Sequence, residues 1–147
     1  MLTVTRLIVI MSLLIWAGAS ISANMIAAPA KFQVADLTRP VALQVGRAQF
    51  LWVGYLEMLL AAGAALAFAT ETPRVQTLVL VAIGLFIAQR FVVLPRLSEL
   101  TDDVIAGAAT GGSRLHLVFI PMECTKLLAL LLAGAMALSA TLHTGRI

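Results

Sequence analysis

At 147 residues, 61% hydrophobic and only 12% charged, with a mean hydropathy of +1.03, the chain lies outside the balance of a soluble globular domain. Its net charge of +3 and pI near 9.8 come from ten basic residues scattered singly between apolar runs. That distribution excludes a nucleic-acid surface and suits anchors at a bilayer surface.

The apolar residues gather into runs of about twenty, long enough to cross roughly 30 Å of hydrocarbon as a helix. The dyad alternation of a membrane barrel is absent. The expected fold is all-α: an integral membrane four-helix bundle, a single transmembrane domain over residues 1–147 whose main partner is the lipid bilayer.

The first span is placed near Leu7 to Ala28. Its opening, "MLTVTRLIVIMSLLIWAGASISA", has the basic start and small residues of a signal peptide. The apolar stretch runs on through "NMIAAPA", so a retained helix is expected rather than a cleaved leader. A polar loop over 29–47, with two prolines and room for a short interfacial helix, leads to a second span near Ala48 to Ala69. "TETPR" reads as a tight turn into a third span, Val75 to Leu94. A second polar loop, 95–114, ends in a Gly-Gly break before the fourth span, Leu115 to Leu142. Small residues in "AGASISA", "AAGAALAFA" and "AGAMALSA" let helices approach closely.

Four spans put both termini on one side with the "TETPR" turn. Lys31, Arg39, Arg47, Arg96 and Arg114 fall on the opposite, loop side, against Arg6, Arg74 and Arg146. The bias puts the loops in the cytoplasm and both termini outside.

The polar residues inside the spans fall at one depth. Glu57 lies about nine residues into the second span and Glu123 about eight into the fourth, so both sit roughly 12–14 Å deep from the loop side. The third span returns to that side with Gln89 and Arg90, and the first does so with Asn24. A lone charge at mid-span opposes insertion by roughly 2.5–3.5 kcal/mol, so Glu57, Glu123, Arg90 and Lys126 are expected to pair. Glu123 and Lys126, at i and i+3, can meet on one helix face, and Glu57 would take Arg90 from an adjacent helix. Pro121 is expected to bend the fourth helix where this cluster begins. His116 lies at the rim.

Plainer readings compete with a site. Charged pairs can simply specify which helices are neighbours, and Arg90 can snorkel to the headgroups. Trp16, Trp52 and Tyr55 read as interface anchors or packing, and Cys124 as a small packed hydrophobe. No metal-ligand spacing links Cys124, His116 and His143, and no cofactor or catalytic set is assigned.

The segments "AAPAKFQVADLTRPVALQVGRAQFLWVGYLE", "LPRL" and "LHLVFIPMECTKLLALLLAG" resemble small four-span bacterial membrane proteins of unknown function. They are more distantly similar to transmembrane-protein-205-like families. The resemblance implies a four-helix protein of a bacterial inner (cytoplasmic) membrane. The distant families' link to drug or metal tolerance brings no mechanism and no catalytic residues. A four-span haem-pathway oxidase also has an "LPRL" segment, but it carries a histidine in its first span, and this chain has none there. Anthrone-oxygenase-like proteins share only size and span count.

Three functions fit these residues. The cluster could handle a proton, an ion or a small polar molecule, and a pathway through so narrow a bundle calls for a homo-oligomer. The chain could be an accessory or structural subunit of a larger membrane complex. It could also be a membrane enzyme acting on a lipid or quinone-like substrate, with Glu123 and Lys126 as an acid-base pair.

Overall fold

A computed structural model of the chain describes residues 2–108 and 115–145. Helix α1 (Leu2–Ser20) passes into a π-helical segment, Ile21–Ala27, then α2 (Ala28–Ala30) and a 3-10 turn, Lys31–Gln33. After residues 34–38 come α3 (Arg39–Ala65) and the short α4 (Ala67–Thr70). Helix α5 (Pro73–Ala88) is followed by a second π-helical segment, Gln89–Val93, and α6 (Leu94–Ile105). Helix α7 (Leu115–Thr144) completes the bundle.

Taken together these elements form four helices long and apolar enough to cross a membrane: Val4–Gln33, Arg39–Thr70, Pro73–Ile105 and Leu117–His143. Each extends past at least one expected boundary. Residues 39–47 and 95–105, expected to be loop, are helical. The cause is the position of the prolines. Pro40 and Pro73 occupy the first or second position of their helices, where the missing N–H had no partner to lose and the fixed φ favours the helix; Pro95 falls just after the π-helical segment Gln89–Val93, inside the continuous helix Pro73–Ile105. Thr38 and Thr72 precede two of them in extended conformation, which lets the chain enter each helix from a turn. The Gly-Gly break, Arg114 and Arg146 lie outside the described residues.

The connection between α4 and α5 is two residues, Glu71 and Thr72, so the expected tight turn is present. Arg6 near the start of α1 donates to the Thr70 carbonyl and faces Glu71 at 3.6 Å, which fixes the start of α1 beside this turn. At the other end of the bundle, Arg47 of α3 donates to Asp102 of α6 at 2.6 Å.

Helix α1 packs along α3 and α7, and α5 packs along α7. Chain neighbours therefore run antiparallel, and two pairs face each other across the bundle axis: α1 with α5, and α3 with α7. The core joins Val9, Leu13, Leu60, Val79, Leu130 and a set of alanines, including Ala64, Ala82 and Ala133, all buried. Alanine at these positions lets the helix backbones come close. Around this core, Leu7, Leu59, Leu80, Leu128 and many other large apolar side chains face outward. A helix apolar on all sides is what a hydrocarbon solvent selects, and an aqueous one does not.

Gly63 of α3 sits so close to Ser12 of α1 that a Cβ there would collide with the serine side chain. Gly63→Val is expected to lower the unfolding free energy by about 1–3 kcal/mol through overpacking. Thermal unfolding in mild detergent measures it, and an unchanged midpoint would rule out this α1–α3 spacing.

Candidate functional site

All four long helices contribute to one polar cluster. Its centre is Lys126 of α7, whose ammonium donates to Glu57 Oε1 at 2.6 Å and to Glu123 Oε2 at 2.9 Å. Lys126 is 1% exposed, Glu123 3% and Glu57 7%, so three ionisable groups share one buried location. The Glu123–Lys126 contact is the i, i+3 pair expected on one helix face. The Lys126–Glu57 contact joins α7 to α3 across the bundle axis.

Further donors fill out both carboxylates. Glu57 Oε1 also accepts from the Trp16 indole Nε1 at 2.9 Å and the Ser20 hydroxyl at 3.2 Å, both from α1. Glu123 Oε1 accepts from Asn24 Nδ2 at 2.8 Å, and Oε2 from Gln89 Nε2 at 3.0 Å. Charged hydrogen bonds of this kind offset the desolvation that would otherwise make buried ions costly.

The two amides reach Glu123 from irregular backbone. Asn24 lies within the π-helical segment Ile21–Ala27 and Gln89 opens the segment Gln89–Val93. In each, an N–H bonds the carbonyl five residues earlier: Ala28 to Ala23, and Leu94 to Gln89. The wider turn rotates the following side chains relative to a regular helix, and such bulges are frequent at functional sites. Gln49 of α3 donates to the Ala23 carbonyl at 2.5 Å and supports the first bulge. Helix α7 itself runs unbroken through Pro121, with the Thr125 hydroxyl donating to the Pro121 carbonyl.

Arg90 departs from expectation. It makes no ion pair among the described residues and does not reach Glu57; its guanidinium lies 6.0 Å from the Tyr55 ring centroid, in cation–π range. The reason is geometric. Lys126 already occupies the donor side of Glu57, and Gly54 leaves a flat seat on which the guanidinium rests, about 3.1–3.3 Å from where a Cβ would stand. Arg90 is half-buried at the edge of the cluster.

A cavity of about 10 Å³, room for about one water molecule, lies within the cluster. Asn24, Glu57, Gln89, Arg90, Glu123 and Lys126 supply its polar wall. Phe50 and Phe119, edge to face at 5.8 Å, line it on the side of the 34–38 connection. Toward the 71–72 turn every helix continues into the apolar core. Asn24 Oδ1, although buried, accepts no hydrogen bond.

Of the residues singled out in the sequence, Glu57, Glu123, Lys126, Gln89 and Asn24 come together, and Arg90 borders them. The side chain of His116 lies outside the described residues. Cys124 is exposed on the outer face of α7, so it is not a packed core residue. Trp52 and Tyr55 stack edge to face on the outside, at 5.9 Å. Trp16, read as anchor or packing, packs: fully buried, it lies edge to face with Phe86 at 5.7 Å, and it also bonds Glu57, which the sequence reading did not anticipate. Ser20 was missed altogether. The available signal was their spacing, since Trp16, Ser20 and Asn24 recur every four residues and form one hydrogen-bonding stripe along α1. No group of three His, Cys, Asp or Glu side chains placed to hold a metal occurs among the described residues.

Comparison of the chain with protein-family models, curated proteins and solved structures finds no match.

Removing the central cation would leave two carboxylates buried side by side. Lys126→Met is expected to cost about 3–5 kcal/mol of stability. Adding Glu57→Gln to it should restore part of that loss. A double-mutant cycle by chemical unfolding measures both, and additive losses would show that the two residues are not coupled.

Proposed function

We propose that the chain is an integral membrane protein whose Glu57–Lys126–Glu123 cluster binds and exchanges a proton or small cation with the aqueous phase at the end of the bundle bearing the 34–38 connection. The observation that carries this reading is the charge count of the buried centre. Two carboxylates enclose one ammonium, which leaves one negative charge uncompensated by direct contact. Burying such a charge is costly, so a proton or small cation is favoured there.

The size of the cavity selects against larger ligands. Pockets for drug-sized molecules occupy about 300–1,000 Å³, whereas this one holds about 10 Å³. A quinone, a lipid tail or a polar metabolite does not fit between these side chains. The asymmetry of the bundle supports access from one end. The Phe50–Phe119 pair lines the cavity toward the 34–38 end, while the apolar core lies between it and the 71–72 turn. A complete crossing pathway would then use either a second conformation or a homo-oligomer.

The environment follows from the same facts. The outward apolar belt supports a lipid bilayer as the surroundings, and Lys31, Arg39, Arg47 and Arg96 at the loop end support a cytoplasmic position for that end in a bacterial inner membrane.

The reading is tested in proteoliposomes carrying an enclosed pH-sensitive dye. Wild-type protein is expected to speed the decay of an imposed pH gradient, and Glu57→Gln and Glu123→Gln to bring the rate down to that of empty liposomes. Rates equal to wild type in both variants would sink it.

A further inference from the structure

Resting on the bilayer setting proposed above, but not on the chemistry of the buried cluster, we propose that Arg90 binds the phosphate of an anionic phospholipid at the seam between α3 and α5, with Lys31 as a second cation nearer the loop end.

That seam is the open side of the bundle. Helices α1 and α3, α1 and α7, and α5 and α7 are closely packed, whereas α3 and α5 meet only loosely. Arg90, in the π-helical segment after α5, reaches across the gap to α3. Its guanidinium lies over Gly54, about 3.1–3.3 Å from where a Cβ would stand, and 6.0 Å from the Tyr55 ring centroid. Tyr55 is 50% exposed and Trp52 71%, so this aromatic pair faces away from the bundle and Arg90 stands between the buried cluster and the surroundings.

The guanidinium has no anion there. All seven Asp and Glu of the chain fall within the described residues. Arg6 faces Glu71, Arg47 takes Asp102 and Lys126 takes Glu57 and Glu123; none of the seven forms an ion pair with Arg90 or Lys31. Lys31 repeats the arrangement one seat further along α3. A Cβ on Gly46 would strike its ammonium, and the Phe32 and Phe50 rings lie 5.5 and 5.7 Å from it. The two glycine seats are eight residues apart on one helix, about 12 Å along its axis.

Depth matches a lipid phosphate. Arg90 follows the start of α5 at Pro73 by 17 residues, about 26 Å, which places it near the edge of roughly 30 Å of hydrocarbon. A cation without a counter-ion at that level is costly, and the anion that the bilayer itself supplies is the headgroup phosphate. A guanidinium meets it with parallel N–H donors, and basic pockets between helices on the cytoplasmic side are suited to such headgroups. Leu59 of α3 and Ile87 of α5, exposed on the side of Arg90 toward the 71–72 turn, offer an apolar flank to the acyl chains. Lys31 selects the class of lipid. A zwitterionic headgroup carries a cationic amine beyond its phosphate, toward the aqueous end, where Lys31 repels it; an anionic headgroup has none.

Trp52 stands on the outer face beside this seam and Trp16 is fully buried, so quenching of tryptophan fluorescence by brominated acyl chains reports the surface in question. The test uses liposomes of phosphatidylglycerol and phosphatidylcholine, with one or the other brominated, at high salt to screen general surface attraction. Wild type is expected to favour phosphatidylglycerol about fivefold at this surface. Arg90→Gln brings the ratio to about one. Arg90→Lys keeps part of the preference, because the charge remains without the fork. Gly54→Val, which keeps the charge and fills its seat, lowers the ratio, as does Lys31→Gln. Arg39→Gln, which removes an exposed cation at the same end, leaves it unchanged. A wild-type ratio near one, an unchanged ratio in Arg90→Gln, or an equal loss in Arg39→Gln overturns the site. Protein that fails to float with the liposomes on a density gradient overturns the bilayer setting instead.

Discussion

The structure depends on one ammonium held between two carboxylates. Lys126 is 1% exposed, and its contacts with Glu57 and Glu123 are the strongest polar interactions inside the bundle. A lysine buried to this degree is tolerable only when its charge is met by anions within hydrogen-bond distance. That requirement sets the rotation of α3 and α7 about their axes, because Glu57 and Lys126 must point at each other across the bundle. Trp16 and Ser20 then set α1, and Gln89 sets the end of α5, since each bonds one of the same two carboxylates. Apolar packing alone would not choose among these rotations, because the helices are apolar on nearly every side.

The two π-helical segments belong to the same logic. A π turn is a poor local choice, yet both occur where an amide has to be turned toward Glu123. The bundle accepts irregular backbone on two helices in return for a carboxylate with donors on both oxygens. The polar half ends abruptly. From Trp16, Leu60, Phe86 and Lys126 toward the 71–72 turn, the helices bury mainly alanine, valine and leucine, and the buried ionisable group at that end is Glu71 in the turn itself. This division places two phenylalanine rings on one side of the cluster and the apolar core on the other.

Within the cluster, the unequal treatment of the two glutamates separates their tasks. Glu123 is an anchor for three donors drawn from different elements. Glu57 takes its three donors, Trp16, Ser20 and Lys126, on one oxygen. That difference would be invisible to any count of charges, which treats the two residues alike.

The all-helical fold was legible in the sequence because a helix long and apolar enough to cross a membrane needs some twenty apolar residues in a row with few charges, a pattern that can be counted directly. Four such runs, and the depth at which Asn24, Glu57, Gln89, Arg90, Glu123 and Lys126 fall, follow from counting along the chain. Helix limits were less legible, because Pro40 and Pro73 begin helices and Pro95 is carried inside one, and a proline at such positions looks the same in sequence as one in a loop. Pairing was legible within one helix, where Glu123 and Lys126 stand three positions apart and do meet, but not between helices. Depth along the axis is a one-dimensional quantity, while the choice of Lys126 over Arg90 as the partner of Glu57 depends on which helix stands opposite and how it is turned. The same is true of Trp16, whose indole reads as an anchor or as packing and becomes a hydrogen-bond donor to Glu57 only once α1 is seen to face it. The sequence by itself determined that the charges share one level of the bundle. Only the tertiary structure decided which of them touch across helices, because such a contact is set by rotation about four helix axes and the apolar pattern leaves that rotation free.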